Sequence, residues 1–138
     1  MIAYVDASVV LRVVLGQPGR LAEWKTITTG VASALVELEC LRTLDRLRLE
    51  EQLTEAQLIA ARGSVYQVTD AFEVVEPSSM VLRRAAQPLP IPLGTLDAIH
   101  LASAMLWTDQ SDRRLVMTTH DRALAIAARA SGLRVLGA

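Results

Sequence analysis

The chain has 138 residues, 51% of them apolar, with a mean hydropathy of +0.32 and a net charge of −1, which suits one domain closing one core without disulfides or structural metal. Near-neutral charge excludes a protein that grips nucleic acid by bulk positive potential, so any such contact is local. The lone Cys40 excludes an internal disulfide, no Cys/His cluster has zinc-finger spacing, and charges such as Asp6 and Arg12 interrupt the apolar runs, so we expect a cytoplasmic protein without membrane span or cleaved signal.

In chain order, Ile2 to Asp6 is a short β-prone run ending in a carboxylate, and Val9 to Leu15 is helical in pattern. Gly16-Gln17-Pro18-Gly19 breaks that helix, and Leu21 to Thr26 is a candidate short one. Val31 to Ser33 reads as a buried strand. From Ala34 to about Glu50 the chain is helix-prone, with Leu35, Leu38, Leu41, Leu44 and Leu47 at every third position. Thr54 can cap a second long helix over Ala56 to Phe72, and Glu73 to Pro77 alternates like a strand. Ser78 or Ser79 can cap a helix through Ala86. Pro88, Pro90, Pro92 and Gly94 mark an extended loop rather than a domain linker, because the flanking pieces are too short to fold alone.

Thr95 is the expected cap of the next helix, whose apolar body runs from Ala98 to Trp107, with Asp109 to Arg114 a polar turn. Leu115 to Thr118 is a strand, Arg122 to Ala130 a helix stopped at Gly132, and Leu133 to Leu136 a final strand. Strands alternate with helices over the whole of residues 1–138. The expected fold is a single α/β domain, a three-layer α/β/α sandwich with a mainly parallel central sheet.

In such sheets ligands collect at the carboxyl ends of strands. Asp6 closes the first strand, Asp121 follows the strand ending at Thr118, and Asp97 lies in the first turn of a helix. Each is also where a carboxylate would simply cap a helix or complement its dipole. Glu37 and Glu39 differ by about 200° around one helix and cannot both face one site, and the helical wheel does not choose between them. Carboxylates gathered in a pocket repel, so they take up protons, pair with arginine or bind a cation. Without thiolate or histidine-pair donors, hard oxygen ligands suit Mg²⁺ or Mn²⁺. His100 stands three residues after Asp97 on the same face; a packed or hydrogen-bonded histidine is preferred over a proton-transfer role. His120 is expected to be exposed and Cys40 buried. Of the 14 basic residues all but Lys25 are arginine, and the aromatic content is too low for RNA binding by stacking.

The segments Tyr4-Val5-Asp6-Ala7-Ser8, Ser33 to Glu39 with Leu41-Arg42, Leu96 to Ala104 (LDAIHLASA) and Thr118-Thr119-His120-Asp121 resemble PIN-domain ribonucleases, and within them the VapC toxins. Their order and spacing span nearly the whole chain. The resemblance implies a catalytic set of Asp6, Glu39, Asp97 and Asp121, with Asp6, Asp97 and Asp121 as metal ligands and Ser8 and Thr119 in support. Glu39 is preferred to Glu37 because it stands six residues after Ser33. The family's usual aromatic residue before the last acid is His120 here. Implied with the site are Mg²⁺ or Mn²⁺, endonucleolytic cleavage of RNA to 5′-phosphate and 3′-hydroxyl ends, a VapB-like antitoxin partner and a homodimer. The weighed alternatives are a noncatalytic PIN-like module binding RNA or protein, and another Mg²⁺-dependent phosphate-ester hydrolase. The latter class wants a second aspartate two residues after the strand-end one, where this chain has Ser8.

Overall fold

In the computed structural model, which describes residues 1–138, five short strands form one parallel sheet. They are β1 (Ile2–Val5), β2 (Thr29–Ser33), β3 (Glu73–Val75), β4 (Val116–Thr118) and β5 (Arg134–Leu136), in spatial order β3-β2-β1-β4-β5. The central strand β1 pairs with β2 from Ile2 opposite Thr29, and with β4 from Ala3 opposite Val116. The chain moves outward from β1 to β2 and β3, then returns to the other side of β1 for β4 and β5. The order therefore reverses between β1 and β4, and at such a switch point the loops diverge and leave a crevice at the carboxyl ends of the strands.

Six α-helices cover the sheet: α1 (Ala7–Val14), α2 (Leu35–Leu49), α3 (Glu55–Asp70), α4 (Ser79–Ala85), α5 (Thr95–Ser111) and α6 (Arg122–Ala130). Alternation along the strands divides the core in two. Ala3, Val5 and Ala32 pack with Val9, Val36, Leu44 and Val65 beneath α1, α2 and α3. Tyr4, Val31 and Met117 face the other way and pack with Leu101, Ala104, Leu124 and Ala128 of α5 and α6. The result is the expected α/β/α sandwich. Gly30 shows how closely the first layer approaches: a Cβ there would lie 2.4 Å from the Phe72 ring, which covers β2 directly.

Four local expectations differ from the structure. Leu21 to Thr26 holds only a 3-10 turn, Trp24–Thr26; Leu21 is buried and the Thr26 hydroxyl donates to the Glu23 carbonyl, so the segment is tied down side by side with the core rather than wound. Helix α5 is capped at Gly94, not Thr95, with no side-chain cap bond, and Thr95 is its first helical residue. Its other end runs beyond Trp107 to Ser111, because the polar stretch is anchored by the Arg84–Asp109 ion pair (3.1 Å), and Asp112 ends it in the left-handed region at φ 52°. His120 is half-buried rather than exposed. Its Nδ1 donates to the Gly137 carbonyl (2.8 Å) where the tail folds back at φ 96°, a place where a Cβ would meet the Thr119 carbonyl at 2.6 Å.

Candidate active site

Asp6 leaves the carboxyl end of β1 at the switch point and occupies the N-cap position of α1, but its side chain makes no capping bond. Its Oδ2 instead accepts two hydroxyl protons, from Ser8 (2.6 Å) and from Thr119 (2.8 Å). Both hydroxyls are held in the donor role because each receives a backbone N–H on its oxygen, Ser8 from His120 (2.9 Å) and Thr119 from Asp121 (2.9 Å). The loop after β4 is thus tied to the end of β1 through one carboxylate oxygen, and Oδ1 of a 5% exposed aspartate is left without a hydroxyl partner. Asp121 follows in that loop as the N-cap of α6, with Oδ1 accepting from the Leu124 amide (2.8 Å). Capping therefore commits one of its oxygens and leaves the other.

The two glutamates of α2 separate as the helical geometry requires. Glu37 accepts from the Thr69 hydroxyl (2.7 Å) and lines a groove with Asp70, Phe72 and Val74, away from Asp6. Glu39 turns toward α5: its Oε1 lies 2.5 Å from His100 Nε2, and the same nitrogen lies 4.0 Å from Asp6 Oδ1. His100 is wholly buried, and its Nδ1 is 2.7 Å from the Tyr4 hydroxyl, which in turn accepts from the Ser33 amide (3.1 Å). Asp97, one turn before His100, lies in the first turn of α5. The structure thus gathers Asp6, Glu39 and His100 directly and brings Asp121 in through Thr119, while Asp97 stands one helical turn before His100 on α5. His100 is the buried, hydrogen-bonded histidine that the sequence leads us to expect, and Tyr4 is a participant that the sequence reading does not single out. The usable signal was a tyrosine inside an apolar strand, since a buried hydroxyl demands a partner.

A family model for the PIN domain matches residues 3–130. The chain belongs to the PIN-domain family. The crystal structure of PAE2754 from Pyrobaculum aerophilum is similar to it, with 22% sequence identity, a TM-score of 0.63, and coverage of 97% of this chain and 83% of that one; at this identity the likeness supports the fold. No curated protein matches the chain. Membership in the family points to nuclease-type chemistry in general, and no helix of this PIN domain is long and apolar enough to cross a membrane.

The electrostatics of this PIN domain's acidic edge follow from burial first and from the neighbouring acids second. Burial pushes the Asp97 carboxyl up to about 6, and the charges of Asp121, Asp6 and Glu39 push the same way, against a smaller opposing effect of His100. Burial works to lower His100, yet the hydrogen bond and charge of Glu39, with Asp6 and Asp97, outweigh it and raise it. Tyr4 is raised far above the ordinary phenol by burial, so it stays a neutral hydroxyl. Cys40 is fully buried, and burial, with Glu39 and Asp6, pushes its thiol up to about 12, which makes it an inert part of the core. No three His, Cys, Asp or Glu side chains stand as a group able to hold a metal ion. The donor chemistry nonetheless fits a hard cation: the acids are of like charge, each of the four has an oxygen outside the hydrogen bonds described above, and no thiolate is available.

Proposed function

We propose that this PIN domain is a Mg²⁺-dependent RNA endonuclease, the toxin of a VapBC-type toxin–antitoxin pair. One observation carries the reading: a convergence at the crevice where the strand order reverses, in which Thr119 joins Asp6 to the Asp121 amide and His100 faces both Glu39 and Asp6. Asp6 is locked by Ser8 and Thr119 and Glu39 by His100, while Asp97 lies half-buried in the first turn of α5, one turn before that histidine. A fold without use for that convergence would leave like charges apart, because assembling them costs energy in the absence of a counter-ion.

Asp6 and Asp97 would be the core ligands of Mg²⁺ or Mn²⁺ and Asp121 an outer or second-ion ligand. When bound, the ion supplies charge neutralisation at a phosphodiester and a water of lowered pKa. Asp6 would offer its Oδ1, with its carboxylate oriented through the two hydroxyls on Oδ2. Asp121 would offer the oxygen not used to cap α6. Glu39, with one oxygen on His100, has the other available to hold a ligand position or orient the attacking water. Cleavage on the 3′-oxygen side would leave 5′-phosphate and 3′-hydroxyl ends. A VapB-like antitoxin and a second copy of the chain are the partners we propose for the exposed apolar residues, among them Leu38, Ile59, Met80 and Leu82.

The test is to incubate the purified protein with structured RNAs, with Mg²⁺ and with chelator, and to map the cut ends. We expect Mg²⁺-dependent internal cuts, and abolition of cleavage in a folded Asp97→Asn variant, because the metal would lose a core ligand. Undiminished cleavage by that variant, or cleavage that persists in chelator, overturns the reading.

A further inference from the structure

Tyr4 and His100 are both 0% exposed, and together they make a hydrogen-bonded chain through four elements. It runs from the Ser33 amide of β2 to the Tyr4 hydroxyl of β1 (3.1 Å), on to His100 Nδ1 of α5 (2.7 Å), and from His100 Nε2 to Glu39 Oε1 of α2 (2.5 Å). The direction of its last bond is determined. Between an imidazole and a carboxylate the proton rests on the imidazole, the stronger base, so Nε2 donates and Glu39 accepts. The ring that donates is itself fixed, edge-on to Tyr4 with ring centres 5.9 Å apart, and the tyrosine is pinned by backbone.

We propose that Tyr4 and His100 are positioning residues that hold Glu39 in the catalytic set, a proposal that rests on the nuclease reading above. Glu39 has three rotatable side-chain bonds and a carboxylate whose side chain is 22% exposed, so alone it would sample several orientations. α2 and α5 belong to opposite layers of the sandwich, and few contacts reach across the strand ends between them. His100 is the rigid group that spans this gap, fixing one glutamate oxygen and leaving the other free. The same nitrogen lies 4.0 Å from Asp6 Oδ1, so the distance between Glu39 and Asp6 is set by the ring that both face. Outer partners that orient ligating carboxylates in this way are commonly worth ten- to hundredfold in metal affinity or activity.

The test uses the full chain as wild type, Glu39→Gln, His100→Leu, His100→Gln, Tyr4→Phe and the double variant Glu39→Gln/His100→Leu. Mn²⁺ affinity is measured by calorimetry, and kcat and KM for RNA are measured separately. His100→Leu is expected to weaken Mn²⁺ binding and lower kcat about ten- to hundredfold with KM for RNA unchanged, and His100→Gln, which keeps an N–H donor, to recover part of both. In the Glu39→Gln background the loss of His100 should cost nothing further, because its action passes through the missing carboxylate. Tyr4→Phe shifts the same quantities in the same direction and decides the matter if His100→Leu fails to fold. Unchanged Mn²⁺ affinity and kcat in a folded His100→Leu, or losses that simply add to those of Glu39→Gln, overturn the proposal. If the variants show the non-additive Mn²⁺ effect but wild type cuts no RNA, the nuclease reading falls and the positioning role stands.

Discussion

At the scale of single residues, the acidic crevice is an unfavourable place for Asp97, and that cost is measurable without any substrate. Its carboxyl is raised from an ordinary 3.8 to about 6. Below the lower value it is protonated in both folded and unfolded chains. Between the two the folded chain keeps a proton that the unfolded chain releases, and above about 6 the folded chain must carry the unwelcome charge. The stabilising hold on the proton is thus fully present at low pH and is lost as pH rises through about 6. Asp97→Asn is neutral throughout. In chelator it should unfold at a higher denaturant midpoint than wild type, with an advantage that grows from about pH 4 to 6 and then levels at about 1 kcal/mol, after discounting for partial solvent exposure. An advantage independent of pH, or a loss, would mean that neither burial nor coupling to its neighbours raises the Asp97 carboxyl. Such coupling is also where residue-level reading of a sequence stops. Asp6, Asp97 and Asp121 stand out because each follows a strand or opens a helix. Nothing in the wheel of α2 separates Glu39 from Glu37, since the partners that do so, His100 and Thr69, come from other helices.

At the scale of elements, what the sequence reveals is what local chemistry controls. The capping box of α3 is complete, with Thr54 accepting from the Gln57 amide and Gln57 accepting from the Thr54 amide, so its start was legible. The leucines of α2 recur every third residue, a period short of the 3.6 of the helix, so the stripe drifts around it and Leu38 emerges 56% exposed while Leu44 is buried. The far end of α5 was hidden because its polar residues are stabilised by Arg84, 25 positions away, and not by their own sequence. Gly30 is a further non-local requirement, in a strand where glycine is otherwise a poor choice. Gly30→Ala brings a methyl within 2.4 Å of the Phe72 ring, and we expect it to cost about 1–3 kcal/mol, the usual penalty for overpacking. Adding Phe72→Leu should return part of that loss relative to Phe72→Leu alone. Additive losses in a chemical-denaturation cycle would show that the ring is not the obstacle.

At the scale of the whole molecule, the apolar half of the composition is not fully used by the fold. The accessible surface is 7649 Å² for 15.0 kDa, against about 7,000 Å² for a compact monomer of that mass. The excess is comparable to the roughly 800 Å² that each partner buries in a standard interface. Exposed on it are large apolar side chains from α2, α3, β3, α4, α5 and α6, and two of them, Leu38 and Leu96, directly adjoin Glu39 and Asp97 in sequence. A net charge of −1 provides little repulsion between copies. The isolated chain should therefore associate, and because the contact surfaces offered are apolar, the association should persist in salt. Sedimentation equilibrium at low and high sodium chloride is expected to return a mass near twice 15.0 kDa in both. Dissociation by salt alone would assign the contact to ion pairs instead, and a monodisperse monomer at all concentrations would mean that this surface is kept for a different chain or left open to water.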